Sequence, residues 1–193
     1  MLPLPRTARQ SLGPARPAAV LLAVMPRTDG LRILLTLRSA ETRHHPEQIS
    51  LPGGGVEPTD TTPWAAAVRE AQEEIGLDPA AVKALGPLTP LYVTASNYLV
   101  QPCVGWVAQP PTSWQRSPAE VAEVIELPLA VLLDPAASAE ETWPLPQGDT
   151  RVPYYRYAAH RVWGATAMIL SEFAVLLAAL DRTHKEQAEH ERC

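Results

Sequence analysis

The first part of the chain carries two apolar runs separated by a short polar turn. The run AAVLLAVM covers residues 18–25, and the run LRILLTLR covers residues 31–38. The turn between them contains Asp29 and Gly30. Apolar runs of this length joined by an Asp-Gly turn are typical of a β-hairpin. We therefore expect the fold to begin with two adjacent strands.

Residues 63–75 have the pattern of an amphipathic helix. Thr62 suits the N-cap, Pro63 suits the first helical position, and Gly76 suits the C-terminal stop. Apolar residues recur along this segment at the three- and four-residue spacing of one helix face. They are Trp64, Val68, Ala71 and Ile75. This face is expected to pack into the protein.

The remaining segments alternate between strand-like and helical patterns. We predict a short strand that enters a glycine loop, two strands around a turn at Ser96-Asn97, a strand that continues into a short helix near Pro128, a strand pair, and a closing amphipathic helix. In chain order these segments are 48–55, 87–94, 97–108, 120–134, 152–164 and 164–181. The stretches 109–118 and 135–150 are expected to be surface loops.

This mixture of strands and a few helices indicates a single domain of the α/β or α+β class. We place the domain at residues 18–182, after a loose leader, 1–17, and before a polar tail, 183–193. The leader contains arginines but no acidic residue, and its prolines oppose an amphipathic helix. The apolar stretch 165–180 includes Glu172 and is interpreted as a core helix rather than a membrane span.

Composition and charge narrow the range of functions. The chain has 193 residues, of which 46% are hydrophobic and 19% charged, with a net charge of −5. These values are ordinary for a globular protein, and the negative balance argues against a broad nucleic-acid interface. Its two cysteines, Cys103 and Cys193, favour a reducing compartment over a disulfide framework. We expect a cytoplasmic protein that binds no membrane.

Three glutamates, Glu70, Glu73 and Glu74, follow one another at helical spacing opposite the apolar stripe. Such acids commonly only solvate a helix. Here the helix follows three consecutive glycines, Gly53 to Gly55, whose backbone can approach a ligand without obstruction. Carboxylates together with a backbone carbonyl form the oxygen-rich ligand set that suits Mg²⁺ or Mn²⁺. The pattern therefore favours a metal site.

The segment GGGVEPTDTTPWAAAVREAQEEIGL, residues 53–77, resembles the Nudix box. The positions that match its helical half are Arg69, Glu70, Glu73, Glu74, Gly76 and Leu77. The box expects a further glutamate where this chain has Thr61, and Asp60 lies one residue earlier. That shift resembles the coenzyme A pyrophosphatase branch of the family.

The upstream stretch LLTLRSAETRHHPEQISLPGG, residues 34–54, is similar to the signature of that branch. Nine positions agree at the right spacing: Leu34, Leu35, Thr36, Arg38, Ser39, Arg43, Pro52, Gly53 and Gly54. Two positions depart from it, because Glu47 replaces a glycine and Leu51 replaces a phenylalanine. The change at Glu47 adds bulk, charge and backbone restriction, so it bears on the substrate more than on the reaction.

The resemblance implies an α/β/α sandwich around a mixed sheet and hydrolysis of a nucleoside diphosphate linked to another group. It implies Glu70, Glu73, Glu74 and the Gly54 carbonyl as ligands of Mg²⁺ or Mn²⁺, with Arg69 orienting a carboxylate. The residues expected to bind substrate are Arg38, Ser39, Arg43 and Gly53. The general base is open between Glu70 and a loop acid, Glu120 or Glu123, and we favour Glu120 as a further catalytic residue. His44 and His45 are interpreted as loop histidines.

Three functions follow from these observations. The first is cleavage of coenzyme A or its thioesters to 3′,5′-ADP and 4′-phosphopantetheine or its acyl form. The second is cleavage of another small substrate, such as ADP-ribose, a dinucleotide or an altered nucleoside triphosphate, which Glu47 and Leu51 would favour. The third is a ligand-binding module without catalysis, which the intact glutamates oppose. The expected assembly is a monomer or a homodimer.

Overall fold

The computed structural model describes residues 13–42, 45–145 and 148–190. Its strands are β1 (Arg16–Arg27), β2 (Gly30–Arg38), β3 (Ile49–Ser50), β4 (Gly53–Gly55), β5 (Val82–Pro87), β6 (Leu91–Val93), β7 (Tyr98–Val107), β8 (Val121–Pro128), β9 (Ser138–Leu145), β10 (Gly148–Tyr157) and β11 (His160–Trp163). Its α-helices are α1 (Pro63–Ile75), α2 (Leu129–Leu133) and α3 (Gly164–His190). Two short 3₁₀ turns, Pro79–Ala81 and Pro135–Ala137, precede β5 and β9.

A mixed sheet of eight strands forms the centre of the molecule. Strands β3, β2, β1, β7 and β5 lie side by side, while β4 pairs with β1, β6 with β7 and β8 with β2. The pairing of β1 with β7 is parallel, whereas the other pairings in this sheet are antiparallel. Strands β9, β10 and β11 form a separate antiparallel sheet.

Strand β1 is apolar on both faces because helices cover both faces of the sheet. Leu21 and Ala23 belong to the core cluster that contains the buried residues of α1. Leu22 and Val24, which point the other way, belong to the cluster that contains the buried residues of α3. This arrangement is the predicted α/β/α sandwich.

The predicted hairpin is confirmed, since β1 pairs antiparallel with β2 and Arg27 lies opposite Gly30. The predicted helix is confirmed at both ends. The Thr62 hydroxyl accepts a hydrogen bond from the Ala65 amide at 3.1 Å, and Gly76 ends the helix with a left-handed φ of 69°. Along α1 the apolar residues Val68, Ala71 and Ile75 are buried, and Trp64 packs against the same cluster while partly exposed.

Three sequence predictions were wrong about local structure. The glycines predicted as a loop form β4, an extended strand whose Gly54 lies opposite Ala19 of β1. The stretch 135–150, predicted as a surface loop, contains β9, which pairs with β10 over its whole length. Strand β5 was not predicted, because it exposes most of its side chains and contains a glycine and a proline. The partners of β4 and β5 lie far away in sequence, where a local pattern gives no signal, whereas β9 pairs with the next strand but lacks a clear alternation of apolar and polar residues.

The closing helix α3 extends further than predicted, to His190, so that the described part of the expected polar tail is helical. Its segment Gly164–Thr183 is long and apolar enough, by length and composition alone, to cross a membrane. Ile169, Leu170 and Phe173 of that segment are nevertheless buried in the core beneath the sheet. The helix thus closes one face of the domain, as the sequence predicted.

Candidate active site

Four parts of the chain lie around the acidic residues of helix α1. Helix α1 carries the three glutamates, β4 supplies the glycine backbone, the end of β2 supplies Arg38 and Ser39, and the turn before β8 supplies Glu120. The β1–β4 pairing brings the glycines beside α1, since Ala19 packs into the same cluster as Ala67 and Ala71 of the helix.

Arg69 lies at the centre of an ion-pair network. Its Nε and Nη2 atoms donate to the two carboxylate oxygens of Asp60 at 3.1 and 3.0 Å, and Nη2 also donates to the Gly55 carbonyl at 3.1 Å. Its Nη1 atom lies 3.0 Å from Glu70 and 3.1 Å from Glu73. The hydrogen bonds from Arg69 hold the pKa of Asp60 below its ordinary value. Asp60 therefore anchors the guanidinium of Arg69 from the segment that precedes α1.

Glu74 is the most buried of the three acids and is only 3% exposed. One carboxylate oxygen accepts a hydrogen bond from the Gly53 amide at 3.3 Å, and the other lies 3.8 Å from Nη1 of Arg38. Burial raises the pKa of Glu74 to about 8, against the attraction of Arg38 and with a smaller contribution from the charges of Glu70 and Glu120.

Glu70 lies between Arg69 and the glycine strand. Burial raises its pKa above the ordinary value, although Arg69 opposes the shift, and the charges of Glu73 and Glu120 add to it. A Cβ atom on Gly54 would lie 2.6 Å from the carboxyl carbon of Glu70, so no larger residue fits there without displacing that acid. Glu73, in contrast, has a side chain that is 57% exposed.

The backbone around Glu120 is held against the same acids. Its carbonyl accepts a hydrogen bond from the Ser39 amide at 2.8 Å, and its amide donates to the Ser117 carbonyl at 3.0 Å. The Ser117 amide in turn donates to the carbonyl of Glu74 at 2.8 Å. The charge of Glu120 raises the pKa of both Glu70 and Glu74. The alternative loop acid, Glu123, instead lies 3.5 Å from His160.

A cavity of about 330 Å³ opens beside the glycine strand, on the face of the sheet that α3 covers. Arg38, Gly53 and Gly54 line the end next to Glu74. Strand residues from β1, β3, β6 and β7 and the first turns of α3 line the rest. These segments are far apart along the chain, and no motif in the sequence indicates that they enclose a common space.

The predicted substrate-binding residues fall into three groups. Arg38 and Gly53 line the cavity, as a substrate contact requires. Ser39 is buried and does not line it: its hydroxyl accepts from the Glu41 amide at 3.2 Å, and its amide holds the Glu120 segment. Arg43 and His44 lie outside the described residues. His45 lies in the loop between β2 and β3, as the sequence predicted, and it also lines the cavity.

The donor atoms fit a hard divalent cation, because carboxylates and a backbone carbonyl are the ligands that Mg²⁺ and Mn²⁺ prefer. Burial raises the pKa of both Glu70 and Glu74, and a cation held among these carboxylates would favour their charged forms. Within the part of the chain that the structure describes, no three Asp, Glu, His or Cys side chains are close enough together to share an ion. Glu70 and Glu73 lie beside Arg69, and Glu74 lies near Arg38.

Comparison with known proteins agrees with this arrangement. The sequence profile of the NUDIX domain matches residues 15–147. A protein of Photorhabdus laumondii named as an uncharacterized Nudix hydrolase, NudL, is 38% identical over 159 residues, which are 82% of this chain and 83% of that protein. A NudL protein of Escherichia coli O6:H1 is 39% identical over 175 residues, which are 89% of this chain and 87% of that protein.

Solved structures show the same fold at lower sequence identity. The Nudix hydrolase RenU of M. smegmatis has a TM-score of 0.51 and 24% identity, and the match covers 62% of this chain and 74% of RenU. An Ap4A hydrolase of C. elegans in a binary complex has a TM-score of 0.50 and 23% identity, with coverage of 58% of this chain and 80% of that chain.

Proposed function

This chain belongs to the Nudix family of pyrophosphohydrolases, and we propose that it cleaves the diphosphate of coenzyme A or its thioesters in a reaction that depends on Mg²⁺ or Mn²⁺. The products would be 3′,5′-ADP and 4′-phosphopantetheine or its acyl form. Family membership accounts for the reaction class, which is hydrolysis of nucleoside diphosphate derivatives. The narrower substrate is a proposal based on the residues that surround the acidic helix.

The position of Arg38 supports this substrate most directly. Arg38 belongs to the upstream signature that resembles the coenzyme A branch, it lines the cavity, and it lies 3.8 Å from Glu74. A guanidinium matches pairs of phosphate oxygens, so an anion bound by Arg38 would lie next to the acidic helix. Arg38 and the glutamates of α1 would therefore act on one site, although 32 positions separate Arg38 from Glu70 in the sequence.

We assign Glu70, Glu73 and Glu74 as metal ligands, with the Gly54 carbonyl as a further oxygen donor. A bound Mg²⁺ or Mn²⁺ supplies positive charge that offsets the anionic diphosphate and lowers the pKa of water. Arg69 and Asp60 hold this set of ligands in place. The guanidinium of Arg69 fixes the orientation of the Glu70 and Glu73 carboxylates, and Asp60 fixes the guanidinium. Glu74 is held by the Gly53 amide.

For the general base we favour Glu120, because its charge acts on both buried acids while its carboxylate is exposed and able to accept a proton. Glu70 is the alternative, since it lies in the same group. Glu123 is less suitable, because this residue of β8 lies beside His160 of β11 rather than beside the acidic helix.

A second candidate is a Nudix diphosphatase with another substrate, such as ADP-ribose, a dinucleotide or an altered nucleoside triphosphate. It is supported by Glu47, which stands where the branch signature has glycine. Glu47 adopts a left-handed backbone with a φ of 57°, a conformation that glycine adopts readily and glutamate does not. The loop thus has the glycine-type backbone, which favours the coenzyme A assignment, but it carries an added negative charge.

We further propose a cytoplasmic enzyme, monomeric or homodimeric, that binds neither nucleic acid nor membranes.

A substrate panel tests the proposal. Purified protein would be incubated with coenzyme A, acetyl-coenzyme A, ADP-ribose, a diadenosine polyphosphate and a nucleoside triphosphate, with Mg²⁺ or Mn²⁺, and initial rates would be measured. We expect the highest kcat/KM for coenzyme A or its thioester, with 3′,5′-ADP as a product. A much higher kcat/KM for one of the other compounds would establish the second candidate.

A further inference from the structure

We propose that the cavity beside the glycine strand binds the acyl-pantetheine arm of the substrate, and that the enzyme therefore prefers thioesters with an apolar acyl group over the free thiol. This inference rests on the proposed function. It adds which half of the substrate enters the cavity and which chemical feature is selected.

The wall of the cavity is largely apolar. Its apolar side chains include Val20, Ile49, Leu51, Val93, Val100 and Ile169. Two of the polar residues in the wall direct their hydroxyl groups to protein atoms: Thr166 donates to the Ile49 carbonyl at 3.1 Å, and the Ser50 hydroxyl lies 3.1 Å from that of Thr36. Such a wall suits an alkyl chain, which needs no hydrogen-bond partners.

Few of the described lining residues can carry positive charge. Among the described lining residues, only Arg38 and His45 have side chains that can carry a positive charge, and Arg38 faces the acidic helix. A ligand that matches this distribution has an anionic end near Arg38 and an uncharged end further in. The acyl-pantetheine arm, which runs from the diphosphate through amides to a thioester and an alkyl chain, has this polarity.

The nucleotide half matches the cavity less well. Its 3′-phosphate would place further negative charge against a largely apolar wall, and the ring nitrogens of adenine would lose hydrogen bonds to water without replacement. The aromatic rings in the wall are also engaged by protein groups. The guanidinium of Arg16 lies over the ring of Tyr98, 4.2 Å from its centroid, and Trp163 packs edge-on against Trp143 at 4.6 Å.

The position of Leu51 supports the same conclusion. Leu51 lines the cavity where the upstream signature has phenylalanine. Leucine has the smaller side chain, so this chain leaves more room at that point of the wall than the signature residue would. Each methylene group that the ligand buries there should tighten binding about three- to fourfold.

Titration of the two reaction products separates the two halves of the substrate without any turnover. Full-length protein with Mg²⁺ would be titrated by calorimetry with 3′,5′-ADP and with 4′-phosphopantetheine carrying a free thiol, an acetyl, a butyryl or a hexanoyl group. We expect the dissociation constant of the acyl series to fall about three- to fourfold per added methylene until the cavity is full. Affinity that does not change with chain length, or binding of 3′,5′-ADP alone, would overturn the inference.

Two wall substitutions and one control sharpen the test. Leu51→Phe fills the cavity with the residue of the branch signature, and should weaken hexanoyl binding about tenfold or more while leaving the free-thiol form unchanged. Val100→Ala enlarges the cavity and should weaken binding of the shorter acyl groups. Val175→Phe is the control, because Val175 lies on α3 outside the cavity and is 67% exposed. It should change neither the binding of the hexanoyl form nor the binding of the shorter acyl forms. Equal chain-length profiles in all four proteins would contradict the assignment of the cavity.

The outcomes also separate this inference from the proposed function. Cleavage of coenzyme A together with a flat acyl series would overturn the cavity assignment and leave the proposed function intact. Failure to cleave coenzyme A or any of its thioesters would overturn the proposed function, and with it the identity of the arm in the cavity.

Discussion

Arg38 lies 3.8 Å from Glu74, and this pair joins the wall of the cavity to the acidic helix. Glu74 is almost fully buried, and its pKa of about 8 reflects the cost of placing its charge there. Arg38 offsets part of that cost and also faces the space in which the substrate diphosphate is proposed to bind. The guanidinium of Arg38 would therefore act on both the Glu74 carboxylate and the substrate diphosphate.

Replacing Arg38 with alanine should reduce kcat/KM for coenzyme A about 10- to 100-fold, the effect expected for losing hydrogen bonds to a charged group. Arg38→Lys should recover only part of the loss, because an ammonium cannot bind two phosphate oxygens in the same fixed geometry. Steady-state kinetics at saturating Mg²⁺ measure both values. Arg151→Ala, at a surface arginine whose side chain is 79% exposed, is the matched control and should have no effect. Wild-type kinetics in Arg38→Ala would exclude Arg38 from substrate binding.

Asp60→Asn should weaken metal binding, because Asp60 holds the guanidinium that orients Glu70 and Glu73. Partners that orient metal ligands typically contribute about 10- to 100-fold to metal affinity or activity. We expect a corresponding rise in the Mg²⁺ concentration needed for half-maximal activity. Asp149→Asn, at an exposed aspartate of β10, should leave this concentration unchanged. An unaltered Mg²⁺ requirement in Asp60→Asn would show that Arg69 holds its position without Asp60.

The stability of the fold should depend on the ionisation of Glu126. Its carboxylate accepts hydrogen bonds from Nε of Arg27 and from the Trp114 indole, both at 2.8 Å. The bond from Arg27 holds the pKa of Glu126 below its ordinary value of 4.5. Because the folded pKa is the lower one, the stabilisation is complete above about pH 5 and disappears as the pH falls through the folded pKa.

Glu126→Gln should accordingly lower the free energy of unfolding by about 1 kcal/mol near neutral pH, a value reduced for partial exposure of the pair. The difference from wild type should vanish at strongly acidic pH. Urea unfolding followed by circular dichroism between pH 3 and 8 would measure it. Glu140→Gln, in an exposed ion pair with Arg151, should change the free energy by less than about 0.5 kcal/mol. A pH-independent difference for Glu126→Gln would contradict the role of its charge.

Glu47→Gly should raise the melting temperature by about 2 to 4 °C, because a left-handed backbone costs glutamate about 1 kcal/mol relative to glycine. Calorimetric scans of the metal-free protein would measure the change. Glu140→Gly, at an exposed strand residue outside the positive-φ positions of the described chain, should lower the melting temperature instead. A lower melting temperature in Glu47→Gly would show that the glutamate side chain stabilises the loop.

The parts of the fold that the sequence predicted correctly are those with strong local signals. The β1–β2 hairpin has apolar runs and an Asp-Gly turn, and α1 has Thr62 and Gly76 at its ends. Strand β9 was taken for a loop because it contains acids and a proline. In the structure Ala139, Glu141 and Trp143 lie on its less exposed face, and because one of them is an acid, the sequence shows no regular alternation of apolar and polar residues.

The candidate site was predictable where one segment carries it and unpredictable where several segments combine. Helix spacing brought Glu70, Glu73 and Glu74 to one face, but it could not show that Glu74 is buried while Glu73 is exposed. In the structure Glu74 lies beside β4, which pairs with β1 and whose Gly53 amide donates a hydrogen bond to the Glu74 carboxylate. The cavity depends on contacts between β1, β3, β7 and α3, which no local pattern encodes.

The most direct test of the central claim is chromatography of coenzyme A after incubation with wild-type protein and with Glu74→Gln, each with Mg²⁺, with Mn²⁺ and with chelator. We expect wild-type protein to release 3′,5′-ADP with metal and none with chelator, and the variant to be at least about 100-fold slower because a ligand is lost. Glu140→Gln should match wild type. Intact coenzyme A in the wild-type samples, or full activity in Glu74→Gln, would contradict the account.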